Sequence, residues 1–272
     1  MAKMKRGFQT DRGQDTMRDI EVEVDFTDNA LASVLYKQGD TVVLACATKA
    51  PSLPRWFPRD ADRGWVHSEY SLLPASTDSR FRRERSGAKG RTQEIERLVA
   101  RSLRAAIDLE QLGPLSLTVD CDILNADGGT RCASITAACI ALRLAVRRLI
   151  ASGDCLPPAL RPADQSGRPR PSPLTGEAAS AHEAAVMPND VAAISVGLLD
   201  GATWLDLDYE LDSNADVDMN IVMTDDGRLV EVQGTGEEAT FARSDMDALL
   251  DLAEAGCADL FTLQRNTLTG LS

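Results

Sequence analysis

The sequence predicts an α+β fold. Three observations carry this: a run of period-two strands with no helix among them near the start, one switch from strand to helix period around a Gly-Gly pair, and a closing hairpin followed by a long amphipathic helix. Residues 1–17 are polar, carry Lys3, Lys5, Arg6 and Arg12 with little periodicity, and predict a mobile or partner-bound arm. Strands follow near 19–26 (Ile20, Val22, Val24, Phe26), 31–37 and 41–48, with Gly39-Asp40 turning the second into the third. The Pro-, Arg- and Asp-rich segment 49–64 is loop. From Trp65 to Leu73, Val66, Ser68, Tyr70 and Leu72 share one strand face.

The loop from Pro74 to Gly90 carries Arg80, Arg82, Arg83, Arg85 and Lys89 among small polar residues. A helix from Arg91 to Asp108 follows, with Ile95, Leu98, Val99, Leu103 and Ala106 as its apolar face; ordinary solvation accounts for the face of Arg97, Arg101 and Arg104. Leu115, Leu117, Val119, Cys121 and Ile123 then alternate as a half-buried strand, and Ile135, Cys139, Leu142 and Val146 recur at helical spacing as far as about Ser152. Residues from about 155 to 186 are rich in Pro, Ala and Ser and predict a disordered insertion within a single domain spanning 1–272. Strand character returns at Val191–Leu199, with a hairpin partner from Trp204. Two more strands, Val217–Thr224 and Arg228–Gln233, are joined by Asp225-Asp226-Gly227, and a helix from Arg243 to about Leu263 ends the pattern.

Composition narrows the function. No run approaches the ~18 apolar residues of a membrane span, nor does an apolar leader open the sequence, so the expected location is the cytoplasm. The six cysteines are scattered without a C-x-x-C pair and read as reduced core residues, while two histidines make a His-rich metal site or a Ser-His-Asp triad a poor guess. The net charge of −13 conceals a strong polarity: residues 80–104 hold nine Lys or Arg against three Glu, whereas 200–259 hold seventeen acids against two arginines. The basic segment is compact enough to meet a polyanion. There is no G-x-x-x-x-G-K-[ST] loop and no complete dinucleotide fingerprint.

Two stretches carry chemistry. In Asp120–Ser134, Gly128-Gly129 form a strand-to-helix turn whose amides can approach a ligand, the following helix adds a positive dipole end, and Thr130 and Arg131 supply a hydroxyl and a cationic fork. The loop reads either as a phosphate cradle or as a glycine turn with a solvated arginine. In Leu205–Asp218, strict alternation from 205 to 212 puts Asp206, Asp208, Glu210 and Asp212 on one strand face, and Asp212 and Asp218 flank a short turn. Such acid density suits a solvated edge strand or a hard divalent cation, Mg²⁺ or Mn²⁺.

Several stretches, taken together and in order, resemble the ribonuclease PH family: 63–74 (RGWVHSEYSLLP), 90–95 (GRTQEI), 120–131 (DCDILNADGGTR), 191–197 (VAAISVG), 205–209 (LDLDY) and 230–235 (VEVQGT). The resemblance covers residues 19–264 apart from the insertion. It implies a β-α-β-α fold of the ribosomal protein S5 domain 2-like type, a ring-shaped homohexamer built as a trimer of dimers, and phosphate-dependent 3′-to-5′ trimming of precursor tRNA with release of nucleoside diphosphates. RNA, not DNA, is the implied polymer. Residue by residue, the family's phosphate ligands fall on Arg91, Gly129, Thr130 and Arg131, its catalytic and metal-binding carboxylates on Asp212 and Asp218, and its RNA-guiding arginines in the loop of Arg80, Arg82, Arg83 and Arg85. This chain departs from the pattern at Ala75, where the family has an arginine. The expected reaction is phosphorolysis; the rivals are a non-catalytic RNA-binding ring subunit, which would lack these phosphate or carboxylate residues, and a small-molecule phosphotransferase, which would not need the basic segment.

Overall fold

A computed structural model describes residues 12–58, 60–161, 172–236 and 240–271. Alternating burial builds the first sheet from β1 (Ile20–Val24), β2 (Ala32–Gln38), β3 (Thr41–Lys49), β4 (Trp65–Leu72) and β5 (Ser116–Asn125), in the order β1-β2-β3-β5-β4. All pairs are antiparallel except β4 with β5, which run parallel in the register Trp65↔Ser116 to Leu72↔Ile123. Parallel neighbours need a crossover, here supplied by α1 (Gly90–Ala106) and the short α2 (Leu109–Leu112). This crossover returns the chain so that the basic 74–89 loop, the start of α1 and the end of β5 lie at one end of the sheet.

Beyond β5, α3 (Thr130–Ser152) is buried nearly all round, with seventeen of its residues inaccessible. A helix apolar on every side needs cover on every side. One face packs on β2 and β3, and another meets β6 (Val191–Leu199) of a second, antiparallel sheet of order β7-β6-β8-β9. Its other strands are β7 (Ala202–Leu205), β8 (Val217–Thr224) and β9 (Leu229–Gly236). With α1, α3 thus forms a helical layer between two sheets. The far face of the second sheet is covered by α6 (Arg243–Leu268) through Leu249, Ala253, Cys257 and Leu260, which pack on Ile194, Val196, Met219 and Ile221.

Three expectations change. The stretch expected to be a disordered insertion contains a 3-10 turn at Pro158–Leu160 and a helix, α4 (Gly176–Val186); residues 162–171 lie outside the described residues. The Ala-rich end of that stretch is a good helix former, and it buries His182 and Val186 while Glu183 accepts from Arg147 Nε at 2.9 Å and Arg143 Nη1 at 3.3 Å. Glu183→Ala, which leaves two half-buried guanidiniums short of a partner, is expected to cost about 1–3 kcal/mol, read as a fall in Tm. Of the predicted N-terminal arm, 1–11 lie outside the described residues, but Arg12 pins the next segment by donating to the carbonyls of Thr16, Leu205 and Asp206 at 2.7, 3.1 and 2.8 Å.

The third change concerns the acidic alternation. Strand β7 stops at Leu205, Asp206 turns into the left-handed region (φ 56°), and Tyr209–Asn214 form a helix, α5. Local capping wins over period two, because the Asp208 side chain accepts from Leu211 N at 2.9 Å as an N-cap. Leu207 and Leu211, expected on one strand face, pack with Leu199 in a small separate cluster. All six cysteines are free; five are core residues as expected, while Cys46 is only half-buried, and burial pushes the Cys121 thiol up to about 12.

Candidate active site

The Gly128-Gly129 turn links β5 to α3. Both glycines are left-handed (φ 70° and 62°), and a Cβ on Gly128 would lie 2.5–2.7 Å from the backbone of residues 207–209. Only glycine fits there, so the turn and the segment entering α5 are in van der Waals contact. Tyr209 N donates to Asp127 Oδ1 at 3.3 Å across the same junction. The two chemically promising stretches of the sequence are therefore one structural unit.

Thr130 and Arg131 open α3. The Thr130 hydroxyl is 2.9 Å from Tyr70 Oη, a contact made possible by the parallel β4–β5 pairing. Burial raises the Tyr70 pKa, while the Thr130 hydrogen bond and the charges of Arg91 and Arg131 pull it down. Both positive charges thus bear on the one buried Tyr70 hydroxyl. Arg91 is exposed at the second residue of α1, and Arg131 is half-buried at the second residue of α3. Helix N-termini ordinarily favour acids, yet neither first turn holds one. Two positive helix ends, each reinforced by an arginine, suit an external anion.

Arg131 Nη1 donates to Gln233 Oε1 of β9 at 2.8 Å, with Glu94 of α1 at 3.4 Å, and Gln233 Nε2 donates to Glu94 at 3.0 Å. Gln233 lies opposite Asn220 of β8, whose Oδ1 is 3.1 Å from Cys132 Sγ on α3. These bonds mark the face of the second sheet that looks toward the start of α3. Asp218 is two residues before Asn220, hence on the same face about 7 Å along the strand, opposite Gly197 and Thr235. It is half-buried, whereas Asp212 is exposed on α5. Arg80, Arg82, Arg83 and Arg85 are exposed in the loop that precedes Arg91.

The sequence reading missed Tyr70, Glu94 and Gln233, although all three lay in quoted motif stretches, and it missed Arg18, described below. It also left the basic face of α1 to solvent. There Arg101 pairs with Glu231 of β9, and Arg104 donates to Val66 O at 3.0 Å with its guanidinium 4.7 Å from the Trp65 ring centroid.

Sequence comparison decides what this unit belongs to. Residues 16–147 match the 3′ exoribonuclease family, domain 1, and residues 190–256 match its domain 2. The chain belongs to the 3′ exoribonuclease family. Among its relatives, ribonuclease PH of Rhodopirellula baltica is 46% identical over 97% of this chain and 99% of its own, and ribonuclease PH of Corynebacterium glutamicum is 46% identical over 94% of each. In fold, rice Rrp46 superposes with a TM-score of 0.68 at 16% identity, covering 95% of this chain and 99% of that one. An Archaeoglobus fulgidus exosome solved with RNA bound to the active site gives 0.68 at 24%, covering 93% and 90%. These neighbours share the α+β fold expected of the ribosomal protein S5 domain 2-like type. In this 3′ exoribonuclease the candidate residues Tyr70, Arg91 and Gly128–Arg131 lie in the first family segment, and Asp212, Asp218 and Gln233 lie in the second.

Proposed function

We propose that inorganic phosphate is held at the start of α3 by the Gly129 amide, Thr130 and Arg131, with Arg91 completing the clamp from the start of α1, and that Asp212 and Asp218 hold a divalent cation. The enzyme itself is a phosphate-dependent 3′-to-5′ exoribonuclease of the tRNA nucleotidyltransferase class; it trims precursor tRNA 3′ ends with phosphate as co-substrate and releases nucleoside diphosphates. A phosphate oxygen forms a bond to the phosphorus of the terminal phosphodiester, and the bond to the 3′-oxygen of the preceding nucleotide breaks. Little covalent work falls to the protein; positioning and charge stabilisation are its contribution. The observation that carries the phosphate assignment is the pair of acid-free helix starts, each with an arginine as its second residue, with the Thr130 hydroxyl at the start of α3 held 2.9 Å from Tyr70 Oη.

The carboxylates fit Mg²⁺ or Mn²⁺ by donor type: two oxygen ligands leave most of the coordination sphere to water and phosphate oxygens, as Mg²⁺ prefers. Among the described residues no group of three or more His, Cys, Asp or Glu side chains gathers to cage a metal. When bound, such a cation would offset the charge that accumulates as one phosphate attacks another.

We place Arg80, Arg82, Arg83 and Arg85 on the RNA backbone, where their exposure next to Arg91 suits a polyanion leading to the clamp. The whole chain acts as one unit in this reading, since its two family segments each supply part of the site. Among the described residues no helix is long and apolar enough to cross a membrane, and we assign the enzyme to the cytoplasm. We further infer a homohexamer, a trimer of dimers; the exposed Phe26 and Trp56 are surfaces that subunit contacts would cover.

The test is product identity. With 3′-extended RNA, turnover should require phosphate and release nucleoside diphosphates; monophosphates formed without phosphate would overturn the mechanism.

A further inference from the structure

Beneath the Gly128-Gly129 turn lies a guanidinium that no part of the proposed chemistry uses. Arg18 leaves the N-terminal segment just before β1 and is 9% exposed. Its Nε and Nη2 donate to Asp206 Oδ2 and Oδ1 at 2.9 and 2.6 Å, its backbone N–H donates to Asp206 Oδ2 at 2.9 Å, and its Nη1 donates to the carbonyl of Asp127 at 2.5 Å. Asp206, 1% exposed, is further held by Arg12, whose Nη1 is 3.6 Å from Oδ2. A Cβ on Gly129 would stand 3.2 Å from Arg18 Nη2.

We propose that Arg18 is a positioning residue for phosphorolysis: it fixes the phosphate turn to the segment that leads into α5 and its Asp212. One side chain binds both parties. Asp127, immediately before the glycines, gives its carbonyl to Arg18 and its carboxylate to the N–H of Tyr209, the first residue of α5. Asp206 is three residues before that helix, in a left-handed conformation that its bonds to Arg18 and Arg12 hold. A buried ion pair is a poor source of net stability but a good source of unique geometry, because an arginine fork accepts few alternative placements. Thr41, fully buried at the start of β3, holds the same turn from the other side: its hydroxyl donates to Gly128 O at 2.7 Å and accepts from Asp127 N at 3.1 Å. The amide of Gly129 and the first turn of α3 are therefore aimed by groups that never meet the phosphate.

This inference rests on the phosphate assignment above, and the experiment separates the two. Arg18→Met, Thr41→Val and Arg91→Lys are compared with the wild type for phosphate KM, kcat, RNA binding without phosphate, and Tm. Arg18→Met is expected to raise phosphate KM by about tenfold or more and to lower kcat by about tenfold, since displacements near 1 Å carry penalties of that order, with RNA binding within about twofold of wild type. A phosphate KM within about twofold of wild type beside a lowered Tm would make Arg18 merely structural and overturn the proposal. If Arg18→Met fails to fold, Thr41→Val decides: it loosens the turn without changing charge, and an unchanged phosphate KM there overturns the proposal. A raised KM in Arg91→Lys alone would sink only the positioning role. Unchanged values in all three variants would sink the phosphate site as well.

Discussion

Asp218→Asn is expected to lower kcat by on the order of 10²-fold or more while leaving Tm close to the wild type. Asparagine keeps the shape of the side chain and loses its charge. Asp218 occupies a regular ladder position between Gly197 and Thr235, so backbone pairing in β8 does not depend on the carboxylate. Asp212→Asn should match it in activity and lose slightly more stability, because Asp212 lies in the first turn of α5, where a negative charge is worth about 0.3–1 kcal/mol. Both variants should shift the Mg²⁺ dependence to higher concentration. A wild-type rate at low Mg²⁺ in either would remove these residues from the metal site.

Arg91→Lys is expected to raise the phosphate concentration for half-maximal rate by about tenfold, with RNA binding in the absence of phosphate nearly unchanged. Lysine preserves the charge but not the planar fork. Arg101→Lys on the same helix is the control: its partner is Glu231 on β9, it is about half exposed, and phosphate dependence should barely move. Equal phosphate dependence in the two variants, or a loss of RNA binding in Arg91→Lys, would move Arg91 from the clamp to the RNA-guiding loop.

The strands of the first sheet, α1 and the turn into α3 were legible because each is written in local periodicity or in a residue type that tolerates a left-handed backbone. What escaped depends on pairs far apart in the chain. The alternation of residues 205–212 looked like a strand since nothing local reveals that Asp206 answers Arg18, 188 positions earlier, while the one local signal, Asp208 as an N-cap for Leu211, was outweighed by the period-two pattern. Composition misled at α4, where Ala-rich sequence was grouped with the prolines before it although His182 and Val186 are buried. Among the candidate site residues, Gly129, Thr130 and Arg131 were singled out by the chemistry of their stretch, and Arg91 by the family resemblance. Tyr70 and Gln233 needed strand pairing to be placed beside them, and pairing is not written in a single stretch of sequence.

The burial of α3 on two sides has a consequence for how the chain comes off the ribosome. The helix is complete at Ser152, yet the strand that covers its second face, β6, ends only at Leu199. At about 5–20 residues per second, translation leaves that apolar surface waiting for roughly 2–9 s before its cover is even synthesised. Slowing codons between 153 and 190, which lengthen that wait, should therefore lower soluble yield more than the same codons placed after residue 224.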